Sequence, residues 1–391
     1  MATEHAQDVP SFAYLRRVRS RRFAVRAFQI IFLLHLYMGW RLLPDLPIER
    51  NLQLLGGAGL ALSSWLIPFG TFSRVYFANQ MVIDRLTWAG GLTMGWASSL
   101  LVFTIIRDLA MLALNLEAWK QESAVFVLGL SVIVTMIGFF NARRVAKVVH
   151  VTIPLDHLPA ALVGFTIAQI SDLHISSTIR RRYVQAVVER VNGLNPDVIA
   201  LTGDIVDGYV AQLAGEAAPL AGLCARHGAY LVTGNHEYYH GADDWITIFR
   251  RLGLQPLMNT HVVLDHNGAN LVIAGINDFS TNQSTHRHVS DPQAALCESP
   301  AGAPRIMLAH QPRSAPAAAA AGADLQLSGH THGGQFWPWN HFVRLQQPYT
   351  AGLHRLGRMW VYTSRGTGYW GPPKRFGAPS EITLITLSRA A

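Results

Sequence analysis

The chain predicts an α/β layered domain preceded by a bundle of about four transmembrane helices. Three observations predict it. Apolar residues rich in Leu, Ile, Phe, Trp and Gly are concentrated between positions 23 and 141, with few charges. From Arg144 onward, short β-branched runs alternate with amphipathic stretches, the pattern of helices layered on sheets. Five short polar motifs then fall just after such runs, at the expected carboxyl ends of successive strands.

Four stretches satisfy the roughly 20 apolar residues that a bilayer crossing needs: residues 23–40, 52–69, 86–106 and 124–140. Arg16, Arg17, Arg19, Arg21 and Arg22 precede the first, Arg74 and Arg85 lie between the second and third, and Arg143, Arg144 and Lys147 follow the fourth. The opposite loops carry only Arg41, Arg50, Arg107 and Lys120. Positive charge stays inside, so the amino terminus, the middle loop and the carboxyl-terminal domain are expected in the cytoplasm, against an inner membrane. The expected division is a basic arm over 1–22, a membrane domain over 23–141 and a catalytic domain over 142–391. His35 is the one ionisable residue well inside a span, which reads as a packed residue in an anchor rather than as an ion path.

The net charge of +8 sits largely beside the apolar segments. That placement fits anionic headgroups and topology, and no nucleic-acid partner is expected. Cys224 and Cys297 occur in unrelated contexts, with neither a metal pair nor a disulfide framework. Oligomeric state has no sequence signal.

Along the second half, residues 148–154 read as a first strand and 165–170 as a strand ending at Asp172-Leu-His174, with a basic helix over 180–191. Residues 197–201 form the strand that delivers Gly203-Asp204. A helix over 210–226 leads to the strand 229–232, which delivers Gly234-Asn235-His236-Glu237, and 243–252 is again helical. Residues 262–265 and 270–274 pair as a hairpin around Asn267-Gly268, and 279–304 read as a loop. Residues 306–308 present His310, an alanine-rich helix follows, and 325–327 present Gly329-His330-Thr331-His332. Strands over 359–362 and 382–387 close the sheet.

Two Asp, one Asn and five His make a mixed oxygen and nitrogen ligand set without thiolate. Such a set suits two divalent metal ions, manganese first, with iron, zinc, cobalt or magnesium also accommodated. Asp172 and His174 sit two apart on an extended strand end and serve one ion together, while Asp204 offers one oxygen to each. Asn235 adds a neutral oxygen, which limits negative charge against an anionic substrate. His330 and His332, again two apart, serve one ion each. Two ions about 3.5–4 Å apart suit phosphoester hydrolysis by activated water. His236 remains as a non-ligand able to protonate a leaving oxygen. Lys374 and Arg375, in a Gly/Pro-rich loop beside Tyr369 and Trp370, are candidates to contact a substrate headgroup.

These blocks, in this order over residues 165–335, resemble the signature of the calcineurin-like metallophosphoesterase superfamily. The resemblance implies a four-layer α/β/β/α sandwich with the dimetal site at the strand ends. It implies one metal on Asp172, His174, Asp204 and His332, the other on Asp204, Asn235, His310 and His330, and a catalytic His236. Glu237 stands where Asp is common. Ile170-Ser-Asp-Leu-His174, Ser328-Gly-His-Thr-His-Gly-Gly-Gln335 and the tail from Arg365 to Gly377 are similar to the membrane-associated YaeI- or YkuE-like branch. That branch includes enzymes cleaving the pyrophosphate of UDP-2,3-diacylglucosamine. The expected function is thus a membrane-anchored hydrolase of phosphodiester or pyrophosphate bonds in an amphiphilic or nucleotide-linked substrate, with membrane lipids as partners. The alternative is a phosphomonoesterase or phosphoprotein phosphatase of the same fold.

Overall fold

A computed structural model describes residues 12–283 and 288–390; residues 1–11 of the expected basic arm lie outside them. The chain forms two compact units, residues 1–135 and 136–391.

The first unit is helical: α1 (Phe12–Leu42), α2 (Arg50–Thr71), a single turn α3 (Ser73–Tyr76), α4 (Gln80–Leu114) and the start of α5 (Lys120–Arg143). Four of these are long and apolar enough to cross a membrane: Ala24–Asp45, Arg50–Thr71, Gln80–Leu114 and Glu117–Arg143. The last three contain the expected spans, and the first covers all but residue 23 of the expected 23–40. The helix begins at Phe12, so part of the expected arm continues the first span as helix. Helices α2 and α4 meet at Gly70 and Gly90, where a Cβ on either would press on the other's backbone at 2.8 Å. Small residues permit that approach where no hydrophobic effect drives helices together.

Several polar residues of the unit are paired. His35 Nδ1 donates to the Ile31 carbonyl at 2.7 Å, and its Nε2 meets Ser63 Oγ at 2.8 Å. Asp108 accepts from Tyr37 and Arg41, each at 2.7 Å. Arg107, buried, binds Asp45, the Arg41 carbonyl at 3.1 Å and Ser123 Oγ at 2.8 Å. This joins the end of α1, the end of α4 and the start of α5. Paired charge near helix ends avoids the penalty of an isolated ion in hydrocarbon.

The second unit takes over α5 from Met136 and holds two six-stranded sheets. The first has strand order β1-β12-β2-β3-β4-β5, using β1 (Lys147–Leu155), β2 (Thr166–Ile170), β3 (Val198–Thr202), β4 (Ala229–Val232), β5 (Gln255–Pro256) and β12 (Glu381–Arg389). The second is β10-β11-β9-β8-β7-β6, using β6 (Thr260–His266), β7 (Ala269–Gly275), β8 (Arg305–Leu308), β9 (Leu325–Ser328), β10 (Gly352–Leu356) and β11 (Met359–Thr363).

Period-2 alternation places the layers. In β3, Val198 and Ala200 join the core between the sheets, while Ile199 and Leu201 face the helices α6 (Arg181–Asn192), α7 (Val210–Ala217) and α9 (Ala242–Arg251). In β7, Leu271 and Ile273 face the inter-sheet core, while Val272 and Ala274 pack on α10 (Pro292–Leu296) and α11 (Ala315–Ala320). Helix, sheet, sheet, helix is the four-layer sandwich that was expected.

Departures from the expected elements have local causes. The helix starting at Val210 ends at Ala217, because Pro219 has no N–H to continue it and 3₁₀ turns follow. Residues 279–304 contain α10, capped by Asp291. Strands β5 and β10 were not expected; both lie at sheet edges, where alternation is weakest. The hairpin turn at Asn267 and Gly268 has φ of 56° and 84°, the left-handed pair that a tight two-residue turn requires.

Candidate dimetal site

Parallel β2, β3 and β4, and parallel β8 and β9, all end on one side of the sandwich. The residues that follow them converge there. Asp172 and His174 follow β2, Asp204 follows β3, and the short helix α8 (Asn235–Tyr239) after β4 carries Asn235 and His236. His310 follows β8, and His330 and His332 follow β9.

Three donor groups result among the described residues: one is His174, Asp207 and His236, and the other two are made of expected ligands alone. Asp172, His174 and His332 offer donor atoms within 4.8 Å of one another, as do Asp204, His310 and His330. Asp204 Oδ2 lies between them, 3.2 Å from His310 Nε2 and 3.8 Å from His174 Nε2. His332 Nε2 is 3.0 Å from His174 Nε2 and 3.6 Å from Asp172 Oδ1. His330 Nδ1 is 3.2 Å from His310 Nε2. Asn235 Oδ1 is buried and has no hydrogen-bond partner among the described residues. An orphaned amide oxygen beside crowded imidazoles and carboxylates fits a divalent cation, which takes such donors and relieves their mutual repulsion.

The backbone is bent to make this convergence. Asp172, His174, Asp204, His330 and His332 all have φ between 50° and 70°, a left-handed region costing a non-glycine residue about 1–3 kcal/mol. Hydrogen bonds hold the bends. Both Asp172 oxygens accept from the His330 N–H, at 2.9 and 3.0 Å, and Oδ2 also accepts from Ser171 Oγ at 2.6 Å. Gly329 allows that approach, because a Cβ there would collide with Ser171 and Asp172. His310 Nδ1 donates to the Thr202 carbonyl at 2.9 Å, which aims Nε2 at Asp204 Oδ2, 3.2 Å away.

Burial sets the charge states. It drives His174 and His330 down to about 3 and His332 well below the usual histidine range, so all three imidazoles are neutral, as ligands must be. Asp204 is also buried, but His310 and His236 outweigh that penalty and hold its carboxyl well below the usual carboxylate range. Burial opposes a charge on His310, yet Asp204 in turn holds it well above the usual histidine range.

Two residues stand out that the sequence reading did not place. Asp207 Oδ1 accepts from His236 Nδ1 at 2.9 Å, directing His236 Nε2 at Asp204 Oδ2, 4.0 Å away. Burial opposes a charge on His236, but Asp204 and Asp207 prevail and raise it to about 9. The signal for Asp207 was the acidic repeat in Gly203-Asp-Ile-Val-Asp-Gly208. Replacing Asp207 with Asn is expected to lower turnover about 10–100-fold, the usual size of such outer-contact effects, with metal content unchanged by elemental analysis. Glu237 is fully buried, and its carboxylate accepts four backbone N–H groups: Asp204 at 3.0 Å, Ile205 at 2.8 Å, Val206 at 3.1 Å and Gly234 at 2.6 Å. It ties the Asp204 turn to the Asn235 turn.

Lys374 and Arg375 are the residues expected to contact a substrate headgroup. Both are about 1% exposed. Lys374 lies over the Phe336 ring, and burial pulls its amine down to about 8. The Arg375 guanidinium donates to the carbonyls of His332 and Arg365, each at 2.8 Å, to Gly368 at 3.1 Å, and to His332 Nδ1 at 3.0 Å. A guanidinium only donates, so Nδ1 accepts, and a bound ion would take the place of the proton on Nε2. Arg375 therefore orients the ring of His332, an expected ligand. Arg375→Lys cannot span these acceptors and is expected to weaken metal affinity about 10–100-fold, measured by isothermal titration with Mn²⁺. Asp278, another acidic residue near the site, accepts from Gln311 Nε2 at 3.0 and 3.1 Å and so steadies the turn after His310.

The profile of the calcineurin-like phosphoesterase family matches residues 165–334. A transmembrane protein with metallophosphoesterase domain from Danio rerio is 36% identical over 277 residues, covering 69% of this chain and 63% of that protein. The Bos taurus protein of the same description is 36% identical over 303 residues, covering 71% and 68%. The chain thus spans about two thirds of the length of these relatives. The uncharacterized metallophosphoesterase YkuE of Bacillus subtilis is 30% identical over 60% of this chain and 83% of its own. Among solved structures, a dimetal phosphatase from Danio rerio aligns with a TM-score of 0.34 and 12% identity, covering 57% of this chain and 99% of that one. Residues 165–334 contain all seven expected ligands and His236, and with these relatives they show that the chain belongs to the calcineurin-like phosphoesterase family.

Proposed function

We propose that the protein is a membrane-anchored, dimetal phosphohydrolase that cleaves phosphodiester or pyrophosphate bonds. The observation that carries this is Asp204 standing between two ligand groups with His236 Nε2 4.0 Å from its Oδ2. Asp172, His174, Asp204 and His332 would hold one divalent ion, and Asp204, Asn235, His310 and His330 the other, manganese being the first candidate. Bound there, the pair would polarise phosphoryl oxygens and lower the pKa of an attacking water.

The protein's own residues do the rest. His236, charged through Asp207 and Asp204, holds a proton on Nε2 and delivers it to the leaving oxygen. A pKa near 9 keeps that proton in place at neutral pH. Trp370 and Tyr239, each about half exposed, stand with ring centroids 5.5 and 5.2 Å from His236. An aromatic rim on the leaving-group side supports a substrate with a planar or apolar portion, lipid-linked or nucleotide-linked. The four apolar helices support the lipid-linked form, with UDP-2,3-diacylglucosamine as the first compound to try and the cytoplasmic face of an inner membrane as the proposed location.

The test is hydrolysis by the purified full-length chain, loaded with manganese, followed by mass spectrometry, with Asp204→Ala as control. Release of UMP and the acylated sugar phosphate, absent in the control, supports the lipid-linked reading. Cleavage of aryl phosphodiesters without that release sends the search to other amphiphiles. Cleavage of monoesters alone overturns the diester reading.

A further inference from the structure

We propose that the segment between the Gly-His-Thr-His loop and β10 is a second membrane-contact element, resting on an anionic lipid surface. The proposal does not depend on which bond the protein cleaves. Two successive one-turn 3₁₀ helices, Trp339–His341 and Val343–Leu345, make up the segment. With three residues per turn, Trp339, Phe342 and Leu345 fall along one edge. They are 43%, 54% and 80% exposed, and the Trp339 and Phe342 rings sit 6.0 Å apart. Three large apolar groups aligned on one exposed edge form a patch that water disfavours.

Two observations point to lipid as the occupant. The first is charge. From Leu325 to Ser380 the chain has no acidic residue, while Arg344, Arg355 and Arg358 are exposed. Arg344 and His341, on the segment itself, are exposed. Aromatic and aliphatic side chains flanked by bases, without acids, suit the headgroup boundary of an anionic bilayer.

The second observation is continuity with a membrane helix. The root of the segment is bound to the loop after Trp370, through Trp337 N–H to the Phe376 carbonyl at 2.8 Å. That loop is fixed to the last turns of α5 within the same compact unit. Arg375 N–H donates to the Gly138 carbonyl at 2.8 Å, and Asn141 Nδ2 to the Arg375 carbonyl at 3.2 Å. Gly138 and Asn141 belong to the last candidate span, Glu117–Arg143. The apolar edge therefore grows from a loop seated where that span ends. Thr331 Oγ1 also donates to the Thr350 carbonyl at 2.5 Å, tying the far end of the segment to the loop of His330 and His332. Such seating would hold the dimetal site at the bilayer surface.

The test uses the full-length chain with Cys224→Ser and Cys297→Ser, since both native cysteines are exposed. A nitroxide is attached at Leu345→Cys or, as control, at Ala317→Cys on the exposed side of α11. The protein is reconstituted in vesicles of phosphatidylcholine and phosphatidylglycerol. Accessibility to oxygen and to a water-soluble nickel chelate is then read by electron paramagnetic resonance. We expect a several-fold higher oxygen-to-nickel ratio at 345 than at 317, shrinking when phosphatidylglycerol is omitted. Equal ratios overturn the proposal. So does dipolar broadening at 345 with no preference for oxygen, which would mean that a second copy of the chain covers the edge. A ratio indifferent to phosphatidylglycerol overturns the anionic part.

Discussion

Replacing Glu237 with alanine is expected to abolish folding of the carboxyl-terminal unit or to lower its melting temperature by more than about 10 °C. The side chain accepts four backbone N–H groups in a fully buried setting. Each donor left without a partner costs about 1–3 kcal/mol, and a whole domain has only about 5–15 kcal/mol to lose. The loss falls on the turn that presents Asp204 and on the turn that presents Asn235, so metal occupancy goes with stability. Glu237→Gln keeps one acceptor oxygen but turns an amide N–H₂ toward two donors, and is expected to fall between alanine and the wild type. Thermal unfolding of the detergent-solubilised protein, with bound metal counted in parallel, checks both. A Glu237→Ala protein that melts within a degree or two of wild type would show that water or a rearranged turn replaces the carboxylate.

His236→Ala should separate chemistry from architecture. Its ring lies at the edge of the metal groups, with Nδ1 on Asp207 and Nε2 toward Asp204. Removing a general acid costs about 10²–10⁴-fold in turnover. That range is expected for kcat on a substrate with a poor leaving group, with two metals still bound. A substrate whose leaving group needs no proton, such as a nitrophenyl ester, is expected to lose much less. An equal loss on both would assign His236 to transition-state charge stabilisation instead of proton transfer. Unchanged turnover on both would remove it from the catalytic account.

Much of this was legible because the chemistry lies in short blocks. Asp172, His174, Asp204, Asn235, His330 and His332 are recognisable as donors two residues apart or beside glycine, whereas His310 is marked only by the apolar run before it and its place in the series. The left-handed backbone at five of these positions was not legible, since nothing in Asp or His announces a positive φ. Only Gly203, Gly329 and Gly333 beside them hint at tight bends. Asp207 depends on a partner 29 residues away, and three of the four donors to Glu237 lie 31 to 33 residues away. Their roles emerge only when β3 and β4 lie side by side.

Lys374 and Arg375 show the opposite problem. Basic residues in a Gly/Pro-rich loop read as candidates for a substrate headgroup, yet both are buried and the guanidinium is bonded to carbonyls and to the ring of His332. The unequal fate of the helix signals is also physical. The basic helix α6 and the amphipathic α9 bury clear stripes, whereas the predicted helix over 210–226 contains Pro219 and stops short.

The central claim is that two divalent ions bound by these residues make the site active. The most direct measurement is a titration of Mn²⁺ into chelator-stripped, full-length protein, reading bound metal and phosphodiester turnover on one sample. The account predicts two ions per chain, with turnover appearing as the second binds, and neither site filling fully in Asp204→Ala. Full turnover in excess chelator, or saturation of both binding and activity at a single ion, would contradict it.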